Sequence, residues 1–275
     1  MTSEKTESEK YITEQIRRVL DAGSLAVLVT VLESETLGIG AKLLVSAGGE
    51  AFGDLGHAGW SPAAIGEARR FMRARDEVKA MKVSEFAPEL ESAPNSLLMF
   101  ERIESEPRLV VAGAGHVGAS LARLAALVGY DVALIDDRAE FVTRELFPDK
   151  SEQTIDLIVA QSWSDSLREA VGKGDGVSVA IVTRGHKQDE DCLRAAIAAR
   201  PAYIGMIGSK RRTNIVLDKL RAEGFDSDEL KKVRAPIGLD IGAVSPEEVA
   251  LAILAEIVAE RRGGSGAALS TWRRA

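Results

Sequence analysis

Residues 108–118 read Arg-Leu-Val-Val-Ala-Gly-Ala-Gly-His-Val-Gly, and this stretch decides the fold of the C-terminal half. The apolar run Leu109–Ala112 enters a glycine turn of the form GxGxxG at Gly113, Gly115 and Gly118, with His116 and Val117 inside it. A helical pattern follows at once: Val117, Leu121, Leu124, Ala125 and Val128 share one face until Gly129 ends it. A second apolar run, Val132–Ile135, then closes on Asp136, 23 residues after Gly113. Strand, glycine turn, helix, strand and acid form the setting of a dinucleotide-binding fingerprint. Gly113 permits the tight turn, Gly115 admits a pyrophosphate to the backbone, and Gly118 lets helix and strand pack closely. The helix N-terminus supplies N–H donors and partial positive charge, and Asp136 is placed to accept from a ribose hydroxyl.

Downstream the pattern repeats. Strands are expected at 108–112, 131–135, 155–160, 178–183 and 202–207, and helices at 116–128, 139–146, 164–171, 188–199, 209–223 and 246–261. This alternation predicts an α/β fold, a Rossmann-like doubly wound parallel sheet with helices on both faces. The last helix has a clear start, with Ser245 as N-cap, Pro246 at N1 and Glu248 at N3.

Upstream, residues 1–10 read as a frayed leader, and Ile12, Ile16, Val19 and Leu20 as one helical face. Leu25–Leu32, Lys42–Ser46 and Leu97–Ile103 read as strands, and Ser61-Pro62 as a helix start with serine as N-cap. The expected organisation is a smaller α+β N-terminal domain over 1–105, a Rossmann-like domain over 106–262 and a flexible tail over 263–275. A net charge of −7 argues against nucleic acid as the partner. The polar start argues against a signal peptide, and no apolar run approaches the ~20 residues that span a bilayer, so a cytoplasmic protein without membrane attachment is expected.

Ligands of open parallel sheets bind beyond the carboxyl ends of the strands, and four polar clusters fall there. The first is the glycine turn itself, with His116. The second is Asp136-Asp137-Arg138, in which Asp136 faces a ribose while Asp137 pairs with Arg138 or faces solvent. The third is Thr183-Arg184-Gly185-His186-Lys187 with Asp189, where His186 and Lys187 are candidate acid–base groups and His186 is equally a candidate ligand contact. The fourth is Gly208-Ser209-Lys210-Arg211-Arg212, with three cations in a first helical turn that the helix dipole disfavours. An anion would offset that conflict; three solvated side chains are the plainer account.

Other chemistry finds little support. Cys192, the one cysteine, lies in a helical apolar pattern and reads as a buried structural thiol. The three histidines, at 57, 116 and 186, have no metal-ligand spacing, so no metal site is expected. Neither a GxxxxGK[ST] phosphate loop nor a GxSxG elbow is present, and no tyrosine is followed by a lysine four residues later.

Six motifs in order resemble the xanthine dehydrogenase accessory factor (XdhC/CoxI) family. They are Gly113-Ala114-Gly115-His116-Val117-Gly118, Ile135-Asp136-Asp137-Arg138, Thr183-Arg184-Gly185-His186 with Asp189, Tyr203 to Lys210, Pro236 to Gly242, and Ser245-Pro246-Glu247-Glu248 leading into Ala255-Glu256-Ile257. In the N-terminal half, Val31-Leu32-Glu33-Ser34 and Gly40 to Val45 resemble the family's opening, but Leu37-Gly38-Ile39 stands where the family has Pro-Arg. The stretch Gly53 to Trp60 replaces the family's triple glycine, cysteine and glutamate, which removes a candidate sulfur ligand.

The resemblance implies a non-catalytic accessory protein that binds molybdenum cofactor, assists its maturation and hands it to an apo molybdenum hydroxylase such as xanthine dehydrogenase. It implies a cysteine desulfurase as a further partner and a homodimer. The pyranopterin carries a phosphate, or a pyrophosphate in its cytosine-dinucleotide form, and the glycine turn with Ser209-Lys210-Arg211-Arg212 suits either. The residues also leave open an NAD(P)-dependent oxidoreductase and a nucleotide-sensing module, with Asp136 favouring NAD over NADP.

Overall fold

The structure, a computed structural model, describes residues 2–34, 38–57, 59–74, 76–90, 95–174 and 176–270, with side chains from residue 10 onward. It divides into two compact units, Met1–Ser105 and Glu106–Ala275.

The first unit is an antiparallel sheet with helices on both faces. Helix α1 (Thr2–Asp21) leads into β1 (Leu25–Glu33), β2 (Lys42–Ser46) and β3 (Ala51–Asp54). Helix α2 (Trp60–Arg73), β4 (Val78–Lys82), the short α3 (Val83–Phe86) and β5 (Leu97–Glu104) complete it, and the sheet order is β3-β2-β1-β5-β4. Alternating residues of the strands serve the two faces. Val27, Val29, Leu43, Leu98 and Phe100 pack with Trp60, Ala64, Ala68 and Phe71 of α2. Ala26, Leu28 and Leu44 pack with Ile12 and Val19 of α1.

Three expectations need correcting here. The segment read as a frayed leader is helical from Thr2. Leu20 lies outside the buried face of α1, whose place is taken by Gln15. Ser61 is not the N-cap of α2: the helix begins at Trp60 behind Gly59, which has a left-handed φ of 88°. The Ser61 hydroxyl instead accepts from Leu55 N–H at 3.2 Å and donates to Asp54 Oδ2 at 3.3 Å, tying β3 to α2.

The second unit has a parallel sheet of β6 (Arg108–Ala112), β7 (Asp131–Asp136), β8 (Asp156–Val159), β9 (Val177–Ile181) and β10 (Tyr203–Met206), in the order β10-β9-β6-β7-β8. Counted within this unit, and read from the β8 edge, the order is 3-2-1-4-5, the Rossmann arrangement, so connections reverse direction between β6 and β9. Helices α4 (His116–Leu127) and α9 (Pro246–Arg262) cover one face, packing Leu121, Ala125, Ala250 and Ile253 on Leu109, Val111, Val132 and Leu134. Helices α5 (Trp163–Val171), α6 (His186–Ala199), α7 (Lys210–Ala222) and α8 (Ser227–Lys232) cover the other, packing Leu167, Cys192, Val216 and Leu230 on Val110, Ala133, Val179 and Met206.

The helix expected over 139–146 is instead two 3-10 turns, Ala139–Phe141 and Arg144–Leu146. Val128, expected on the buried face of α4, is exposed beyond the end of the helix. After α9, Gly263 adopts left-handed backbone and Gly264 N–H donates to Ala259 O at 2.7 Å. The first residues of the expected tail are thereby tied back to the helix, and residues 271–275 of it lie outside the described residues.

Candidate functional site at the carboxyl rim of the parallel sheet

The glycine turn is shaped by its surroundings. Gly113 has φ 114°, and a Cβ there would stand 2.6 Å from Val182 O and 3.0 Å from Thr183 Cα, so the end of β9 packs directly on the turn. A Cβ on Gly118 would run into the Gly113 carbonyl oxygen. Gly115 differs: a Cβ there would meet nothing within 4 Å. It is the N-cap of α4, and no side chain caps that helix start. Its open backbone and the first amide hydrogens of α4 therefore suit an anion. His116 is exposed at the first position of α4, while Val117 packs partly against the core.

Asp136 is not available to a ribose. Its carboxylate is buried and accepts from Ala114 N–H at 2.7 Å, Arg138 N–H at 3.0 Å, Arg138 Nε at 2.8 Å and Arg138 Nη2 at 2.9 Å. Burial would push the carboxyl up, but Arg138 and the two amides outweigh it and hold it below its usual range. Of the expected division of the two aspartates, only the part given to Asp136 fails: Arg138 forks onto Asp136, while exposed Asp137 meets Arg138 at 3.9 Å. Arg138 also lies over the Phe141 ring, 3.7 Å from its centroid, which fixes its plane. The pair braces the glycine turn from β7, and the basis for preferring NAD falls away.

A second buried carboxylate braces the other side. Asp189 is fully buried in the first turns of α6 and accepts from Thr183 Oγ1 at 2.5 Å and from Arg212 Nη2. Complete burial pushes this carboxyl above its ordinary range, against the opposing pull of Thr183 and Arg212. Ser209 caps α7 as expected, its Oγ accepting from Arg212 N–H at 3.3 Å. The three cations of that turn therefore divide. Arg212 turns inward to Asp189, whereas Lys210 and Arg211 are exposed. Spacing alone did not single out Arg212; the usable signal was its place three residues after the capping serine, opposite an acid in the neighbouring helix.

The carboxyl ends of β7, β6, β9 and β10 are successive in the sheet, and strands about 4.8 Å apart bring them within roughly 15 Å. The predicted clusters thus share one rim. Arg184, half-exposed, donates to Asp137 Oδ2 at 3.2 Å and joins the third cluster to the second. His186 and Lys187 are exposed at the start of α6, behind Gly185, which offers no side-chain cap. Among the described residues, Lys187, Lys210 and Arg211 have no side-chain ion pair. The rim therefore carries three arginines tied to aspartates, and three cations free for an anion.

Two remaining motifs are structural. Glu256 of α9 accepts from Tyr203 Oη at 3.1 Å and from Gly238 N–H, pinning the Pro236–Gly242 loop to β10. Cys192 is buried and burial raises its thiol pKa far above the ordinary range, so it is neither exposed nor a ready thiolate. Among the described residues, no group of three or more His, Cys, Asp or Glu side chains is placed to hold a metal, and no helix is long and apolar enough to cross a membrane.

Comparison with known proteins agrees with this architecture. The chain is similar to a Bacillus subtilis protein described as a probable component of xanthine dehydrogenase, 34% identical over 166 residues that make up 60% of this chain and 46% of that protein. It is similar to the "Molybdenum cofactor insertion chaperone PaoD" of Escherichia coli K12, 29% identical over 154 residues, 56% of this chain and 40% of the other. The chain thus spans less than half the length of either relative. A crystal structure of a xanthine dehydrogenase from Bacillus halodurans shares the fold, with a TM-score of 0.62 at 24% identity over 90% of this chain and 66% of that one. The family model described as the XdhC Rossmann domain matches residues 109–257, more than half of the 275, and the chain belongs to that family.

Proposed function

We propose that this chain is an accessory protein of molybdenum-cofactor maturation, which holds the cofactor by its phosphate or pyrophosphate and passes it to an apo molybdenum hydroxylase. One observation carries the reading: α4 starts at an uncapped glycine with open space where a side chain would be, on the same rim as the free cations Lys187, Lys210 and Arg211. The names of the two curated relatives, one a probable component of xanthine dehydrogenase and the other a cofactor insertion chaperone, support the same role. The bound group would supply the anion and the molybdenum-bearing pterin. Gly115, His116 and the first amides of α4 would seat the anion, and Lys210 and Arg211 would balance its charge. His186 would contact the ligand as a hydrogen-bonding group rather than as an acid–base catalyst.

A nicotinamide-dependent oxidoreductase fits less well, because the acid that would hold a ribose is consumed by Arg138 and Ala114. Sulfuration of the cofactor, in this reading, draws on a cysteine desulfurase, since the buried Cys192 is unsuited to carry sulfur. A cytoplasmic homodimer is the proposed working form.

The test is to purify the protein from a host that makes the molybdenum cofactor and to identify released pterin or nucleotide by mass spectrometry. A pterin is expected. Nicotinamide dinucleotide together with hydride-transfer turnover would overturn the proposal. The double variant Lys210→Ala, Arg211→Ala is expected to bind pyrophosphate about tenfold more weakly at low salt with an unchanged melting temperature. Unchanged affinity would remove α7 from the site.

A further inference from the structure

Asp137 and Arg184 stand on opposite sides of the glycine turn. Asp137 follows Asp136, whose carboxylate receives the Ala114 N–H of the turn, and Arg184 follows Thr183, whose Cα lies against Gly113. Their side chains meet, Arg184 Nη2 donating to Asp137 Oδ2 at 3.2 Å. Since β7 and β9 flank β6 in the sheet, this ion pair joins the carboxyl ends of the outer two strands across the end of the central one. The neighbouring arginines are committed elsewhere: Arg138 forks onto buried Asp136, and Arg212 reaches buried Asp189. Arg184 is different. Its side chain is 51% exposed, that of Asp137 is 31% exposed, and a single hydrogen bond links them.

We propose that Arg184 is a phosphate-binding residue held in reserve, and that Asp137 is its built-in competitor. This rests on the rim being an anion site, and adds how that site is gated. A phosphate or pyrophosphate arriving at Gly115 draws the Arg184 guanidinium away from Asp137. The exchange favours the ligand for two reasons. A guanidinium fork matches a phosphate with two parallel hydrogen bonds, whereas Asp137 uses only one. Asp137 is not stranded by the loss, because Arg138 Nε lies 3.9 Å from its Oδ1. An exposed one-bond pair is weakly held, so the latch costs little to open while it discourages weaker anions.

The experiment is calorimetric titration of the full chain and its variants with inorganic pyrophosphate at low ionic strength. Asp137→Asn keeps the side-chain shape and removes the competing charge, and it should bind about three- to fivefold more tightly than wild type. Arg184→Ala should bind several-fold more weakly. The double variant should be as weak as Arg184→Ala alone, because the gain acts through the guanidinium. Both single changes are at the surface, and melting temperatures near wild type should accompany them. If wild type binds and Asp137→Asn does not improve on it, the latch is wrong while the anion site stands. If the gain persists without Arg184, the aspartate acts only through its field and the latch is again wrong. Absence of pyrophosphate binding in wild type and all variants would remove the anion site and the latch together.

Discussion

At the scale of single residues, the rim is organised by two aspartates in opposite electrostatic situations. Asp136 is surrounded by donors that outweigh its burial, so its carboxyl is depressed below the ordinary 3.8. A depressed acid contributes stability that is complete above its unfolded-state pKa and is lost as pH falls through the folded value. Asp189 is raised by burial, so the native state takes up its proton before the unfolded chain does, and its contribution grows as the pH falls toward 3.8. Asp136→Asn should therefore destabilise the protein by about 2–4 kcal/mol at pH 7, since Arg138 loses a buried forked partner. The gap from wild type should narrow below pH 3.8, read as denaturant midpoints across a pH series. A constant gap would mean that the carboxylate's charge does not matter to the fold. The roles of these residues were only half legible in the sequence. An acid after a second strand is a recognisable signal, but its position is compatible with a ribose outside or a backbone amide inside. Only the placement of Arg138, two residues on and stacked on Phe141, decides between them.

At the scale of elements, the parallel unit was legible because its signals are local and repeated. Four of the five strands of that sheet end at one of the polar clusters, and α9 begins with a capping box in which Ser245 and Glu248 each serve the other's backbone. What was illegible depended on tertiary contacts. The segment 139–146 has helix-forming residues, yet Arg144 spends its guanidinium on the carbonyls of Glu152 and Ile155, and the backbone breaks into two tight turns. Strands β3 and β4 are exposed along most of their length and so lack an apolar run. Helix α7 shows how one element's oddity is resolved by another. Its cationic first turn conflicts with its own dipole, and Arg212 is compensated by Asp189 from α6. Removing Arg212 leaves a buried acid without its charge partner, so Arg212→Ala should cost about 3–5 kcal/mol. Asp189→Asn in the same background should recover part of that loss. A double-mutant cycle measured by urea unfolding checks this, and strict additivity would show that the two helices are not coupled through this pair.

At the scale of the whole molecule, the proposed site draws on one unit only. The glycine turn, both buried aspartates, the Arg184–Asp137 pair and the free cations all belong to Glu106–Ala275. That unit has apolar layers on both faces of its sheet, each closed by its own helices. At 170 residues, counting from 106 to 275, it is in the size range of domains that fold independently. The N-terminal unit has its own cores, around α1 and α2. A fragment spanning 106–275 should therefore unfold in a single cooperative transition and bind pyrophosphate within about twofold of the full chain, since every group named for the site lies within that unit. Near-ultraviolet circular dichroism and the same calorimetric titration read the two properties separately. A folded fragment that has lost binding would place part of the anion site in residues 1–105, and would give the N-terminal unit a direct part in holding the ligand.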